Sequence, residues 1–162
     1  MTAESDVLAR GGPTFVVGVD GTELSLEALR RAMGFGHAVD ARIVVVYSRF
    51  FQAAVSDPIA GVSAALVLEE AVDEQAEEVK RNAEGLLGGS GLAWEYVVRQ
   101  GEPAHEIIDV AHEVSADWVI VGASIHGPIS GFFLSSVASH LLHHCDVSVA
   151  IVRPPRSRAS SA

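Results

Sequence analysis

The sequence predicts an α/β domain: a doubly wound, five-stranded parallel sheet flanked by four helices. Three observations predict it. Five short apolar runs, mostly β-branched, recur along the chain with turn residues after them. Between successive runs lie stretches whose apolar residues return at helical spacing. Most of the runs are also apolar on both faces, as strands of a helix-covered parallel sheet are, while Ala93 to Arg99 alternates in part. Strands and helices that alternate in this way build βαβ units and one layered core.

Met1 to Pro13 is polar and punctuated by Gly and Pro, and reads as a flexible arm ahead of a domain spanning residues 14–153. Thr14 to Val19 is the first strand, closed by Asp20-Gly21-Thr22. Glu23 to Phe35 places Leu24, Ala28, Leu29 and Ala32 on one face of a helix, with Thr22 or Asp20 as its cap and Gly34 and Gly36 as its stop. Arg42 to Tyr47 is the second strand, and Arg49 to Gly61 has no clean period and reads as a loop. Ser63 to Leu87 is a long helix with Leu66, Val72, Ala76, Val79, Ala83 and Leu87 inward and a solvated acidic face, stopped by Gly88-Gly89.

Ala93 to Arg99 is the third strand. Gly101-Glu102-Pro103 turns into a helix with Pro103 in its first turn and Ile107, Ile108, Val110, Ala111 and Val114 inward. Trp118 to Val121 is a fourth, buried strand. After it come a Gly-rich loop and the helical pattern F-F-L-x-x-V-x-x-x-L-L, Phe132 to Leu142. Val147 to Val152 is the fifth strand, and residues 154–162 form a flexible tail. There is no internal repeat and no second domain.

Composition excludes several functions. The 162 residues carry 21 Asp and Glu against 11 Lys and Arg, a formal charge of −10. That balance repels phosphate backbones, so no nucleic-acid partner is expected. No apolar run reaches the roughly 20 residues of a membrane span. The start M-T-A-E-S-D lacks the apolar core of a signal peptide, and the single Cys145 suits a reducing compartment, so the expected location is the cytoplasm.

In open α/β sheets, ligands bind outside the carboxyl ends of the strands where the strand order reverses. The loops after the first and fourth strands, Asp20-Gly21 and Gly122 to Ser135, are the natural pair. Strand, Gly-rich turn and helix together aim backbone N–H groups and a positive helix end at an anion.

Three signatures in order carry a resemblance to a known family. They are V-V-G-V-D-G-T-E-L-S-L-E-A-L-R-R-A (Val16 to Ala32), G-E-P-A-H-E-I-I-D-V-A-H-E-V-S-A-D-W-V-I-V-G (Gly101 to Gly122) and the closing S-V-A-S-H-L-L-H-H-C-D-V-S-V-A-I-V-R-P. With them the chain resembles the universal stress proteins, as a single domain of a Rossmann-like, adenine nucleotide alpha hydrolase-like fold. The resemblance implies a stress-response binding and signalling module with a nucleotide-type pocket, ATP with Mg²⁺ being the ligand of its nucleotide-binding members. Those members carry G-x2-G-x9-G-[S/T], which here falls on Gly122, Ile125, Ser135 and Ser136, so the second and third glycines are replaced. Glycine there lets backbone approach phosphate and adopt positive φ, and a β-branched Ile125 does neither well.

The resemblance further implies contacts from Asp20 to ribose and phosphates, and from the backbone at Tyr47 to adenine. The amides of Ser136 and Val137 at the helix start would meet the phosphates, and Val121, Gly122, Ser124, Gly127, Gly131 and Ser135 would complete the nucleotide site. It implies a homodimer joined through Val147 to Val152, an apolar edge that needs covering. The alternative is a structural or interaction protein without ATP, working through its dimer surface and the Arg49 to Gly61 loop. A second alternative is a slow ATPase.

His140, His143, His144, Cys145 and Asp146 include metal-ligating types, and His140 and His144, one turn apart, could share an ion. Imidazoles at a helix end also favour its negative terminus, and histidines here resemble the family's usual sequence, a resemblance that implies no metal. His105-Glu106 and His112-Glu113 repeat seven residues apart and read as a solvated face. No nucleophile elbow or H-E-x-x-H is present, so no catalytic residues are assigned.

Overall fold

The computed structural model describes residues 11–50, 58–123 and 135–154. Among them are five strands in one parallel sheet and four helices, the fold class the sequence predicts. The elements are β1 (Thr14–Val19), α1 (Glu23–Val39), β2 (Arg42–Arg49), α2 (Pro58–Leu87), β3 (Trp94–Gln100), α3 (Pro103–Glu113), β4 (Trp118–Gly122), α4 (Ser136–His144) and β5 (Ser148–Val152). The strand order is β3-β2-β1-β4-β5. The chain therefore works outward from β1 to one edge, then crosses back to fill the other. β1 pairs with β2 through Thr14↔Arg42 and Val19↔Tyr47, and with β4 through Phe15↔Trp118.

The two-faced strands split the core into two apolar clusters. Phe15, Val17 and Val19 of β1 join Ile43, Val45 and Tyr47 of β2 under α1 and α2, where Leu29, Val79 and Leu87 are buried. Val16, Val44, Val46, Val119 and Val121 point the other way, against Ile107, Val110 and Leu141 of α3 and α4. Alternate residues of one strand thus feed opposite layers, the period-2 rule of a strand buried on both sides.

Several boundaries differ from the sequence reading. α1 runs through Gly34 and Gly36 and stops at Asp40, whose left-handed φ of 52° ends the helix while Ala41 N–H donates to Gly36 O at 2.9 Å. Gly36 is buried, with Leu92 and Ile43 close by, so packing offsets its poor helix propensity. α2 begins at Pro58, inside the stretch expected to be a loop, and β2 extends two residues past Tyr47. Trp118, expected in a buried strand, is 44% exposed at the first position of β4. Pro13 O accepts from Arg42 N–H at 2.9 Å, tying the end of the expected arm to the sheet. The remainder of the arm (1–10), residues 51–57 of the expected loop, Phe132 to Leu134 and the tail from 155 lie outside the described residues.

Candidate functional site

A cavity of about 570 Å³ opens at the carboxyl ends of β1 and β4, where the strand order reverses. Gly18 and Val19 of β1 and Val121 and Gly122 of β4 form its floor. Asp20, Thr22, Leu24 and Ser25 wall one side; Pro103 and Ile107 of α3 and Ser135, Ser136 and Val137 wall the other, with Pro154 at the rim. Its size is that of a small-molecule site.

The β1–α1 turn is a preorganised polar corner. Asp20 Oδ1 accepts from Thr22 N–H at 3.0 Å and from Thr22 Oγ1 at 2.6 Å. Thr22 Oγ1 in turn accepts from Ser25 N–H at 3.2 Å and caps α1. The buried Ser25 hydroxyl donates to Thr22 O at 2.8 Å and accepts from Asp20 N–H at 3.3 Å. Gln75 Nε2 of α2 donates to Asp20 O at 3.1 Å. Gly21, at φ 84°, makes the turn possible, since a side chain there would be strained. Of the two caps the sequence allowed, Thr22 serves, and Asp20 braces it while remaining exposed.

Across the cavity, Ser135 caps α4, its Oγ accepting from Ala138 N–H at 3.2 Å. Its φ of −55° and ψ of 155° are ordinary for serine. The expected need for a glycine of positive φ at this position therefore does not arise. The cap occupies the third helical amide and leaves those of Ser136 and Val137 without an intrahelical partner, facing the cavity side of a positive helix end.

Gly122 has a different reason for being glycine. A Cβ there would lie 2.9 Å from Leu24 Cγ and 2.9 Å from Leu24 O, so β4 and the start of α1 touch only because the side chain is missing. Gly18 permits a similar approach, its missing Cβ sitting 2.6 Å from Ile107 Cδ1.

Asp20, Val121, Gly122, Ser135, Ser136 and Val137 are thus brought around one cavity. Tyr47 is not among its lining residues. Its ring is buried with the α1–α2 cluster, and burial pushes its hydroxyl pKa up. Ser124, Gly127 and Gly131, with Ile125, lie outside the described residues. Sequence reasoning missed Thr22 and Ser25 as a network, and missed Pro103, Ile107 and Pro154 as walls. The motif Gly101-Glu102-Pro103 was visible, but nothing local says that its helix flanks the same opening as β1.

The cavity thus sets an apolar floor between two polar ends, the Asp20 corner and the start of α4, with no Lys or Arg among its described lining residues.

In the last turn of α3, His112 Nε2 and Asp146 Oδ1 meet at 2.6 Å. The hydrogen bond with Asp146 raises the His112 pKa, and the same bond lowers that of Asp146. The bond joins α3 to the approach to β5.

Comparison with known proteins agrees with this architecture. The sequence profile described as the Universal stress protein family matches residues 13–153. Universal stress protein Sll1388 of Synechocystis is 28% identical over 153 residues, covering 85% of this chain and 96% of its own. Universal stress protein UspA from Lactobacillus plantarum superposes with a TM-score of 0.71 at 21% identity, over 87% of this chain and 97% of that one. A universal stress protein solved in complex with cAMP superposes with a TM-score of 0.65 at 26% identity, over 88% and 97% of the two chains.

Proposed function

The chain belongs to the universal stress protein family, and we propose that it is a stress-response binding module that takes an adenine nucleotide into the cavity between β1 and β4. The observation that carries this is the pairing of two built ends over one apolar floor: the braced Asp20 corner and the Ser135-capped start of α4. In this reading the Ser136 and Val137 amides receive the phosphate nearest the nucleoside, and Asp20 faces the ribose or a Mg²⁺ ion. ATP with Mg²⁺ is one candidate ligand. The absence of cations among the described lining residues favours a nucleotide with fewer phosphates, and the relative solved with cAMP supports the same end of the series. It also favours binding over a slow ATPase, since phosphoryl transfer relies on charges that neutralise the transferred group.

The test is to denature the purified protein and identify the released nucleotides by mass spectrometry, beside an Ile125→Gly, Ser135→Gly variant. Near-stoichiometric adenine nucleotide from the wild type supports the proposal. Nucleotide from the variant alone shows that the side chains at 125 and 135 close the site, and the reading fails for this protein.

A second reading has its own observation. β5 is an edge strand whose Val149, Ala150, Ile151 and Val152 are only partly buried. This supports the homodimer expected through Val147 to Val152 and an interaction role independent of nucleotide. Light scattering that finds a monomer at micromolar concentration removes it.

A further inference from the structure

The imidazoles of α4 do not stand alone. Glu102, which caps α3, and His105 in its first turn meet His140 of α4, and one ligand atom from each lies within 4.8 Å of the other two. His105 Nδ1 is 3.4 Å from Glu102 Oε2. The His105 ring stands edge-on to His140, with centroids 4.6 Å apart. His144, one turn further along α4, brings a third imidazole 4.4 Å from His140, centroid to centroid. Two helices far apart in sequence thus place three imidazoles and a carboxylate on one patch.

The patch gathers imidazole nitrogens and carboxylate oxygens, all able to ligate an ion, from two helices. Two imidazoles and a carboxylate are the ligand set of an open zinc site, with water completing the tetrahedron. Bonds of about 2.0–2.1 Å place ligand atoms roughly 3.3 Å apart in that geometry. The present atoms need to close by at most about 1.5 Å, which side-chain rotation alone can supply. Glu102 and His105 are 36% and 63% exposed, so those rotations are not locked and an ion has direct access. The cap uses one oxygen, Glu102 Oε2 accepting from His105 N–H at 3.0 Å, and the carboxylate's second oxygen is available to a metal.

We propose that Glu102, His105 and His140 form a binding site for one divalent transition-metal ion of the zinc class, stapling the first turn of α3 to α4. The net charge of −10 favours cation capture. The staple lies beside the cavity, because Pro103 and Ile107 of α3 and Ser136 and Val137 of α4 form its adjoining wall. The site stands on its own residues and does not depend on which nucleotide, if any, the cavity takes.

The experiment uses the full chain stripped of metal and titrated with Co²⁺ as a spectroscopic probe and Zn²⁺ by calorimetry. One Co²⁺ per chain with the intense visible absorption of tetrahedral coordination is expected, displaced by Zn²⁺. Zinc at about a hundredfold excess over its Kd raises the thermal midpoint by roughly 5 to 10 °C. His105→Ala and His140→Ala each weaken binding by about tenfold or more, whereas His37→Ala, an exposed imidazole on α1, leaves it unchanged. Circular dichroism establishes that the variants are folded, and His105 is exposed enough to be replaced without loss of the fold. No tetrahedral Co²⁺ spectrum, or zinc binding that survives in both variants, overturns the proposal.

Discussion

Adding one methyl group at Gly122 tests how the cavity floor is built. The new Cβ would sit 2.9 Å from Leu24 Cγ, 2.9 Å from Leu24 O and 3.1 Å from Leu24 C, where ordinary contact begins near 3.4 Å. The first turn of α1 must therefore retreat from β4 by about 0.5 Å, and because backbone atoms are involved, a side-chain rotation does not relieve it. Overpacking of this kind costs about 1–3 kcal/mol. For a chain of this length each kcal/mol moves the thermal midpoint by about 2–4 °C, so Gly122→Ala should lower it by about 2 to 12 °C. Gly34→Ala is the internal control. It is the same chemical change inside a helix, with nothing within 4 Å of the added carbon, and should stabilise by about 0.5–1 kcal/mol. Differential scanning calorimetry of both variants decides. A Gly122→Ala protein as stable as wild type, or a Gly34→Ala protein that falls with it, refutes the close-approach argument.

Ser135→Ala removes the cap of α4 and should cost about 1 kcal/mol in chemical denaturation, while Ser135→Gly costs only a few tenths. The His112–Asp146 pair has a pH signature with a defined sign. His112 is raised by its hydrogen bond with Asp146, so its contribution is present below the ordinary imidazole value and fades as pH rises through the raised one. Asp146 is lowered by the same bond, so its contribution is present above the ordinary carboxylate value and fades as pH falls through the lowered one. The pair acts between those two limits, and an NMR titration should show the His112 midpoint dropping back toward an ordinary imidazole in Asp146→Asn.

The central strands were legible because they are buried on both faces, and runs such as Thr14 to Val19 can bury both faces only inside a covered sheet. Helix ends were less so. Gly34 and Gly36 look like a stop, yet Gly36 is held in α1 by contacts with Leu92 and Ile43, and neither partner is visible from the local sequence. For the site, Asp20 and the residues at the start of α4 could be placed from strand-turn-helix order alone. The meaning of individual residues could not. Gly122 follows a phosphate-loop pattern but is required by Leu24, and Ser135 replaces an expected glycine but acts as a cap. The pairing of Glu102 and His105 with His140 needs the crossover that sets α3 beside α4, and spacing of 35 residues between the histidines carries no sign of it.

The sheet divides the interior into two rooms with a wall of backbone between them. Substitutions in one room should scarcely register in the other, since their side chains share no partners across the wall. The crevice above β1 and β4 is a doorway: Val19 opens onto it from one room, Ile107 and Val121 from the other. A ligand seated there would touch side chains of both rooms, so that one guest reaches each layer.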